Sequence, residues 1–590
     1  MIVKMNKVTI LCTSGSRKEA LNALRDLGVV HVHHVHMPAG VDLDKARERL
    51  AHVRRALEVL PKGHVSAQPS GRPADDVVSD LWSLIHRKAD EATRIEELTH
   101  EIQRIEPYGS FDPASIRVLA EKGIRVRLYQ ITRGAEPVVP EGAVLTVLGE
   151  DKASRYVAVT QANGVGQDIA WANASELRLP EKSLDVLRGE LAGAEKRLAE
   201  VEKGFLTHAG DYGVVAEIVR EAEESVHYLE VSAGMGSSAP VDYLCGFCPV
   251  EKVDVLRTAA EEYGWGLIVE EPSGDDKTPT LIRNPAWIRP IKAVFDFIGV
   301  LPGYEEIDIS AIFLFFLSLF FAMLVGDAGY GLIFLALTAW GRRKFPKAPA
   351  YPFHLMYIMS GCTVLWGVIT GSWFGAERLP ALLDGLTVAW LKEPKNVMLL
   401  CFVIGAVHLT IAHLWNIVRG WNSLKSLAQF GWILSTWTMF FMARNLVLGH
   451  PLPGWIGGMF VVGVVLIILF MTAPRDFKNE WFNHVMLPLN LVSNFVDVVS
   501  YIRLFAVGTA GYAVASSFNK MILGGGVDGV VAGLVAALLL FLGHTLNILL
   551  CVMGVLVHGV RLNTLEFSSH IGMAWTGTLF KPFARLKTEE

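Results

Sequence analysis

Two arginines set in apolar sequence are the residues best placed to do chemistry in this 590-residue chain. Arg503 lies in Val499-Ser-Tyr-Ile-Arg-Leu-Phe-Ala-Val507, and Arg561 in Leu556-Val-His-Gly-Val-Arg-Leu562. A guanidinium stays charged at every physiological pH, because its pKa exceeds ~12. Inside a hydrocarbon layer it costs roughly 2.5 to 3.5 kcal/mol on insertion scales. Each arginine therefore needs a carboxylate, an anion or water beside it. Placed so, it can hold a neighbouring carboxylate ionised where the medium favours the neutral acid. The second half of the sequence offers Arg503 no obvious permanent acid partner; Asp497 is nearly two turns away on the same helix. Arg561 sits near the end of its stretch, so snorkelling or internal pairing competes with a functional role there. Arg503 is apolar-flanked on both sides, and that competition is weaker.

Other polar residues run along the same two stretches: Asn490, Asn494, Asp497 and Ser500, then His544, Asn547, His558, Asn563 and Glu566. Asn490, Asn494 and Asp497 are spaced i, i+4, i+7 and share a helix face. A polar stripe in lipid usually lines water or a partner. For any single Asn or His, a hydrogen bond between helices explains the residue equally well.

These side chains need long apolar elements to carry them. Eight apolar stretches follow residue 308: Ile309 to Val325, Tyr330 to Trp340, Phe353 to Phe374, Val397 to Ile417, Phe430 to Leu448, Trp455 to Thr472, Val485 to Phe518 and Val530 to Val560. The first two are short for spans of ~20 residues, and the last two are long enough to predict tilted or kinked helices. The loops predicted to face the cytosol carry Arg342, Arg343, Lys344 and Lys347, then Arg419 and Lys425, then Arg475 and Lys478, then Lys581, Arg585 and Lys587. That is the bias expected of inside loops. The predicted outside loops His450 to Gly454 and Gly524 to Gly529 carry no Lys or Arg, whereas Gly375 to Asn396 is an exception with Arg378, Lys392 and Lys395. Eight spans put both termini in the cytosol.

Most of the charged residues precede position 290, although 51% of the chain is hydrophobic and mean hydropathy is +0.36. The sequence thus divides into a polar domain, 1–290, and a membrane domain, 291–590. A net charge of −5 and the lack of basic clusters with interleaved aromatics argue against nucleic acid as a partner. Six cysteines in so long a chain make no disulfide framework. Met1 to Ala20 lacks the apolar core of a secretory signal, so the polar domain is expected in the cytosol.

Within that domain, Val8 to Leu11, Ser16 to Leu27 and Val29 to Val35 predict a β-α-β start of the ferredoxin-like kind. Asp44 to Leu60 with Val78 to Ile105, and Pro180 to Phe205 with Asp211 to Leu229, predict two antiparallel helical hairpins. Strands are expected at Arg125 to Thr132, Ala143 to Gly149, Arg155 to Gln161 and Asp242 to Cys248, with a helix at Val250 to Tyr263. The expected fold is α+β in the cytosol, two small α/β lobes joined by coiled helices, plus an all-α polytopic membrane domain.

Several motifs here have plain explanations. His31 and His33 face one side of a strand and His34 and His36 the other, so no four-ligand metal site forms locally. Cys245-Gly-Phe-Cys248 lies within a strand, not at the helix N-terminus that redox cysteines use. Asn173-Ala-Ser is a sequon that a cytosolic location leaves unglycosylated. No phosphate-binding G-x-x-x-x-G-K-[ST] loop occurs, and neither metal nor cofactor is expected.

Ser500-Tyr-Ile-Arg-Leu-Phe-Ala506 is similar to the S-Y-[LI]-R-L-[WF]-A motif of subunit I, also called subunit a, of archaeal and bacterial V/A-type rotary ATPases. His558-Gly-Val-Arg-Leu562 resembles that family's second arginine motif, and Glu566-Phe567 follows as it does there. Gly326-Asp-Ala-Gly-Tyr-Gly331, Leu365-Trp-Gly-Val-Ile-Thr-Gly-Ser-Trp-Phe-Gly375 and the run from Asn284-Pro285 to Tyr304-Glu-Glu-Ile-Asp308 resemble further stretches of it. The likeness covers nearly the whole chain. One departure is Cys551, where eukaryotic relatives carry glutamate ten residues before the second arginine; it bears on the exact course of the ion path and not on the arginines.

The resemblance implies a non-catalytic stator in a prokaryotic cell membrane, with ATP sites on other subunits. Its partners would be a rotor ring of small subunits each bearing a carboxylate, peripheral stalks, and a central stalk or ring cap. Arg503 and Arg561 would ionise each passing carboxylate, while Asn490, Asn494, Asp497, His558 and Glu566 would line two aqueous half-channels for H⁺ or Na⁺. Two rivals explain less. A secondary transporter holding an anionic substrate on Arg503 leaves the coiled N-terminal domain unused, and no internal repeat marks such a fold. A purely structural membrane anchor has no need of Arg503.

Overall fold

The computed structural model describes residues 1–61, 70–133, 139, 141–162, 174–472, 477–524 and 529–585. Asn173 of the sequon, Arg475 and Lys587 of the expected inside loops, and positions 525–528 of the expected Gly524 to Gly529 loop lie outside them. Contacts divide the chain into two compact units, His34–Gly236 and the combination of Met1–His33 with Ser237–Glu590. Charge and hydropathy had suggested a boundary at 290; the contacts follow tertiary packing instead.

The polar elements run β1 (Met5–Thr13), α1 (Arg17–Leu27), β2 (His31–His33), α2 (Val41–Glu58), α3 (Ala74–Ile105), α4 (Pro113–Glu121), β3 (Ile124–Thr132), β4 (Ala143–Glu150), β5 (Ser154–Ala162) and β6 (Ala174–Leu177). They continue through α5 (Leu184–Thr207), α6 (Tyr212–Ala233), β7 (Gly236–Ser238), β8 (Val241–Pro249), α7 (Val253–Tyr263) and β9 (Gly266–Glu270). One sheet has the order β2-β8-β1-β9, with every neighbour antiparallel. That is the order of a ferredoxin-like β-α-β-β-α-β unit. The expected start at Val8 was correct, but the unit closes only at residue 270, because His34–Gly236 is inserted between its second and third strands. Cys245 and Cys248 both lie on β8. Burial pushes the Cys248 thiol up to about 11, the opposite of a reactive thiolate.

In the inserted unit the helices do not pair as sequence neighbours. Helix α2 packs on α6 and α3 on α5. Ion pairs record the register: Arg47–Glu230 and Arg54–Glu223 join the first couple, and Glu91–Arg197 and Arg94–Glu190 the second. As one number rises the other falls, so both couples are antiparallel. The chain therefore runs out along α2 and α3 and returns along α5 and α6, with an antiparallel sheet of order β4-β5-β3-β6 between. The two hairpins expected from proximity are corrected to one long out-and-back pair. Heptad-like spacing fixes which face is apolar but not which helix covers it.

In the apolar half come α8 (Lys292–Ile298), α9 (Ser310–Val325), α10 (Ala328–Lys344), α11 (Ala350–Thr370), α12 (Ala381–Asp384), α13 (Pro394–Arg419), α14 (Lys425–Leu448) and α15 (Ile456–Phe470). The last stretches are α16 (Phe477–Ser500), α17 (Ile502–Leu523) and α18 (Val530–Gly554), closing with α19 (Ser568–Ile571). Among the described residues, four helical stretches are long and apolar enough to cross a bilayer: Ala350–Thr370, Pro394–Arg419, Glu480–Leu523 and Val530–Ile571. Helix α9 is shorter and largely buried, with Phe313, Phe320 and Leu324 at 0% exposure although Phe315 is exposed. Its unbroken hydrophobicity comes from being the centre of the core, packed by α11, α17 and α18.

Two of the sequence motifs prove to hold each other. Asp327 caps α10, accepting from the Tyr330 backbone N–H at 3.1 Å. Its other oxygen accepts from the Ser372 hydroxyl at 3.0 Å and the Gly375 N–H at 3.3 Å. A Cβ on Gly367 would stand 2.1 Å from the Ala328 nitrogen, so glycine is what lets α10 and α11 close there. The C-terminal segment returns to the first sheet's lobe. Thr280 bridges Leu579, the Phe583 N–H donates to the Val30 carbonyl at 2.8 Å, and Arg585 pairs with Asp26 at 2.6 Å.

Candidate functional site

Arg503 and Arg561 come together on one acid. The Arg503 Nη2 lies 2.5 Å from Glu566 Oε1, and the Arg561 Nε lies 3.5 Å from the same oxygen. Arg503 also donates from Nε to the Ser500 carbonyl at 2.9 Å. Glu566 is 4% exposed, and its second oxygen, Oε2, is buried with no hydrogen-bond partner among the described residues. A carboxylate has about four acceptor positions, so this one is under-used. Two positive charges face one negative charge, and the cluster carries a net charge of +1.

The expectation that Arg503 has no acid partner is thereby corrected. Glu566 is distant in sequence, and its backbone conformation hides the match. In an α-helix, residues five apart point about 140° away from each other. Val555–Gly559 and Leu562–Phe567 are instead π-helical, with i→i+5 hydrogen bonds that stack residues five apart. That winding brings Arg561 and Glu566 to one face. Between α16 and α17, a single turn residue, the fully buried Tyr501, separates the two helices just before Arg503. Tyr501 is anchored by the His408 Nδ1 at 2.8 Å.

Two further polar clusters sit at opposite ends of α13. Near its Arg419 end, Asp497 Oδ2 lies 3.1 Å from His570 Nε2. His570 Nδ1 is 2.9 Å from His413 Nε2, and His413 Nδ1 is 2.8 Å from Gln429 Oε1. Near the other end of α13, a cavity of about 390 Å³ is lined by Pro394, Lys392, Glu377, Thr509 and Tyr512, and it reaches Leu504 beside Arg503. Pro394 and His413 are roughly 28 Å apart along an ideal helix, about a bilayer core. Across from α13, Asn547 Nδ2 donates to the Tyr330 hydroxyl at 3.0 Å, and that hydroxyl lies 2.8 Å from His544 Nδ1. His544 Nε2 meets Asn519 Oδ1 at 3.2 Å.

Against known proteins, no family model matches the chain. V-type ATP synthase subunit I 1 of Treponema pallidum is 30% identical over 99% of this chain and 100% of its own length. This chain belongs to the V-type ATP synthase subunit I family. A relative from Borreliella burgdorferi, V-type ATP synthase subunit I, is also 30% identical, over the whole of both chains. A solved structure of the cytoplasmic N-terminal domain of subunit I, homolog of subunit a, of V-ATPase overlaps 45% of this chain at 16% identity. Its TM-score of 0.21 is too low to establish a shared fold. As a subunit I, the chain is a non-catalytic, membrane-sector component of an ion-transporting ATPase complex.

The remaining residues predicted for the subunit I site are spread along its helices. Asn494 is 1% exposed and bonded to Ser435 at 3.1 Å and Thr436 at 3.2 Å, so it fastens α16 to α14 rather than lining open space. Asn490 is exposed two turns before Asp497. His558 lies in the first π-helical segment, with Nδ1 buried and unpartnered among the described residues. Sequence reading missed His413, Gln429 and His570. Their signal was a histidine or glutamine inside an apolar helix, which alone is too common to single out.

Proposed function

We propose that this subunit is the stator of the ion-translocating sector, with residues 291–590 carrying H⁺ or Na⁺ past a rotor ring and residues 1–290 binding peripheral stalks. The observation that carries the reading is the net +1 cluster of Arg503, Arg561 and Glu566 inside an apolar helical unit. A site with one cation in excess lacks an anion. A rotor carboxyl arriving neutral through lipid would supply it: beside Arg503 its ionised form is favoured, and the proton or Na⁺ it carried is released. The standing positive charge also opposes direct passage of a cation between the two sides.

Access is needed from both sides. The cavity at the Pro394 end of α13 supports one half-channel, ending at Leu504. The Asp497 cluster at the Arg419 end supports the other, with Asn490 and Asp497 lining it, Asn494 bracing it, and His558 and Glu566 at the centre. Eight crossings are proposed, with both termini in the cytosol of a prokaryotic cell. The pairing of residues 579–585 with the lobe around Val30 supports termini on one side. A central stalk or ring cap is a further proposed partner.

The test is ATP-driven ion uptake into vesicles holding the purified complex. Arg503→Ala is expected to abolish uptake while the complex still assembles. Arg503→Lys is expected to fail as well, because an ammonium lacks the planar fork that holds Glu566 and a second carboxylate together. Normal coupled uptake in either variant would refute the proposal.

A further inference from the structure

We propose that the groove between α9 and α11 binds one anionic phospholipid of the cytosolic leaflet, with its headgroup on Arg289 and Lys292 and an acyl chain laid along the groove against Trp366. The leaflet rests on the membrane orientation proposed above; the site itself does not depend on ion transport.

The groove has a volume of about 630 Å³. Its walls include Ala311, Phe315 and Ala322 on α9 and Ile358, Leu365 and Ile369 on α11. Among the described residues lining it, the one hydroxyl is that of Ser318, and it donates to the Leu314 carbonyl at 2.7 Å. The other polar side-chain atoms are the Cys362 thiol and two indole N–H groups. Water or a polar ligand would leave hydrogen bonds unmade there, and hydrocarbon would not. From Ala311 to Ala322, and from Ile358 to Ile369, is eleven steps of 1.5 Å, about 16 Å. That is half of a hydrocarbon core about 30 Å thick, so the groove is one leaflet deep. A membrane-spanning partner helix would need twice that length.

The mouth of the groove is marked by Trp287, which precedes α8 and is 67% exposed. Phe297, near the far end of α8, is 74% exposed. Aromatic rings left open beside cations suit the headgroup zone of a bilayer. Two residues after Trp287 stands Arg289; it is exposed, and among the described residues its side chain makes no hydrogen bond or ion pair. Lys292 follows one turn on. Its Nζ lies 5.5 Å from the centre of the Tyr351 ring, and Tyr351 is two turns before Ile358 on the same face of α11. Lys292 is thereby placed at the α11 side of the mouth. Asp296 lies 3.8 Å from Lys292 Nζ and also accepts from the Tyr351 hydroxyl at 3.3 Å. Two cations against one carboxylate leave a positive charge in excess at the mouth of an apolar slot. An anionic phospholipid complements both parts, with its phosphate on the guanidinium fork and a chain in the slot. A zwitterionic lipid would bring a further ammonium to a place where cations are already in excess.

The site bears on the rest of the subunit through one residue. Trp366 lines the groove and also the cavity that reaches Leu504 beside Arg503. A chain seated in the groove backs Trp366 and keeps that wall of the cavity closed to the bilayer.

The experiment uses the intact complex in phosphatidylcholine vesicles whose ATP-hydrolysing face points outward. Phosphatidylglycerol with a photoactivatable diazirine in its acyl chain is supplied to the outer leaflet, and phosphatidylcholine with the same label is run in parallel. Labelled peptides are mapped by mass spectrometry, with the exposed Val461, Val462 and Val465 of α15 as the unspecific reference. Residues 311–322 and 358–369 are expected to label more strongly from phosphatidylglycerol than from phosphatidylcholine. Arg289→Gln is expected to lower the phosphatidylglycerol label in the groove roughly fivefold, and Arg289→Gln with Lys292→Gln roughly 25-fold, as one and then two cations are lost at a membrane surface. Cys362→Phe fills the groove and is expected to remove the label of both lipids; should it not assemble, Ile358→Phe at the exposed rim is read instead. Equal label from the two lipids, or a preference that Arg289→Gln leaves unchanged, marks ordinary surrounding lipid and overturns the site. Label on α15 with none in the groove overturns it too, because another subunit then covers the groove or it faces the other leaflet. None of these readings uses pumping. Arg503→Ala is expected to bind the lipid like wild type; if that variant pumps ions, the stator reading has failed and the lipid site still stands or falls by its label.

Discussion

The two polar clusters flanking the arginines are built from similar residues and differ in one respect. The Tyr330 cluster is locked. Asn547 donates to the Gly511 carbonyl at 2.8 Å and Asn519 to the Phe374 carbonyl at 2.7 Å. A carbonyl can only accept, so both amides have one orientation, which fixes the His544 tautomer and the Tyr330 proton between them. No member of that chain is a carboxylate. The Asp497 cluster ends on an acid at one side and, at the other, on Gln429, which makes no second side-chain hydrogen bond among the described residues, so it has two self-consistent states differing by a proton. Histidine content alone does not distinguish a cluster that can take up a proton from a brace; the end groups do.

The comparison breaks most severely at Glu566, which lies between the two clusters and serves the arginines alone. Glu566→Gln keeps the shape and removes the charge, leaving two guanidiniums facing each other in an apolar unit. Glu566 is buried, but the Arg503 and Arg561 side chains are 22% and 53% exposed, so the loss falls below the roughly 3 to 5 kcal/mol of a fully buried pair. The expected result is less assembled complex than wild type, measured as subunit I recovered with the rotor and stalk subunits from membranes. Normal assembly of this variant would show that the arginines are balanced by something other than Glu566, and the net +1 account of the site would be wrong.

How far the sequence led depends on the range over which each feature is set. The apolar stretches, the β-α-β start and the two arginines were legible because each is a local pattern of residue types. The acid that balances Arg503 was not, because its partner is 63 positions away and presented by π-helical winding that no periodicity rule encodes. The pairing of α2 with α6 and α3 with α5 was hidden for a similar reason: four amphipathic helices advertise four apolar stripes and leave the matching open. Asn494 shows the reverse error. Its spacing with Asn490 and Asp497 is real, but Ser435 and Thr436 on a helix distant in sequence consume its side chain.

A smaller effect is expected at Tyr330. Tyr330→Phe removes the hydroxyl that joins Asn547 to His544, so the buried Asn547 amide loses an acceptor and the half-buried His544 Nδ1 its donor. Burying one unsatisfied polar group costs about 1 to 3 kcal/mol. Thermal unfolding of the complex should begin at lower temperature. Ion uptake per assembled complex should stay at the wild-type rate, because a locked chain carries no proton. If uptake falls while the assembled complex remains stable, the Tyr330 cluster takes part in uptake, and the distinction by end groups fails.

The smallest effect sharpens the other side of the comparison. In the Asp497 cluster, Gln429 contributes an orientation and holds no titratable proton. Gln429→Leu takes away the amide and leaves His413 Nδ1 facing the partly open mouth at the start of α14, where water can donate and accept in its place. One net hydrogen bond is worth about 0.5 to 1.5 kcal/mol, so acidification should slow by no more than roughly tenfold. The loss should stand well below that of His570→Gln, which removes the imidazole between His413 and Asp497. Equal losses in the two variants would mean that the hydrogen bond between Gln429 and His413 holds the cluster in place, and the Asp497 cluster would then be a brace like the one around Tyr330.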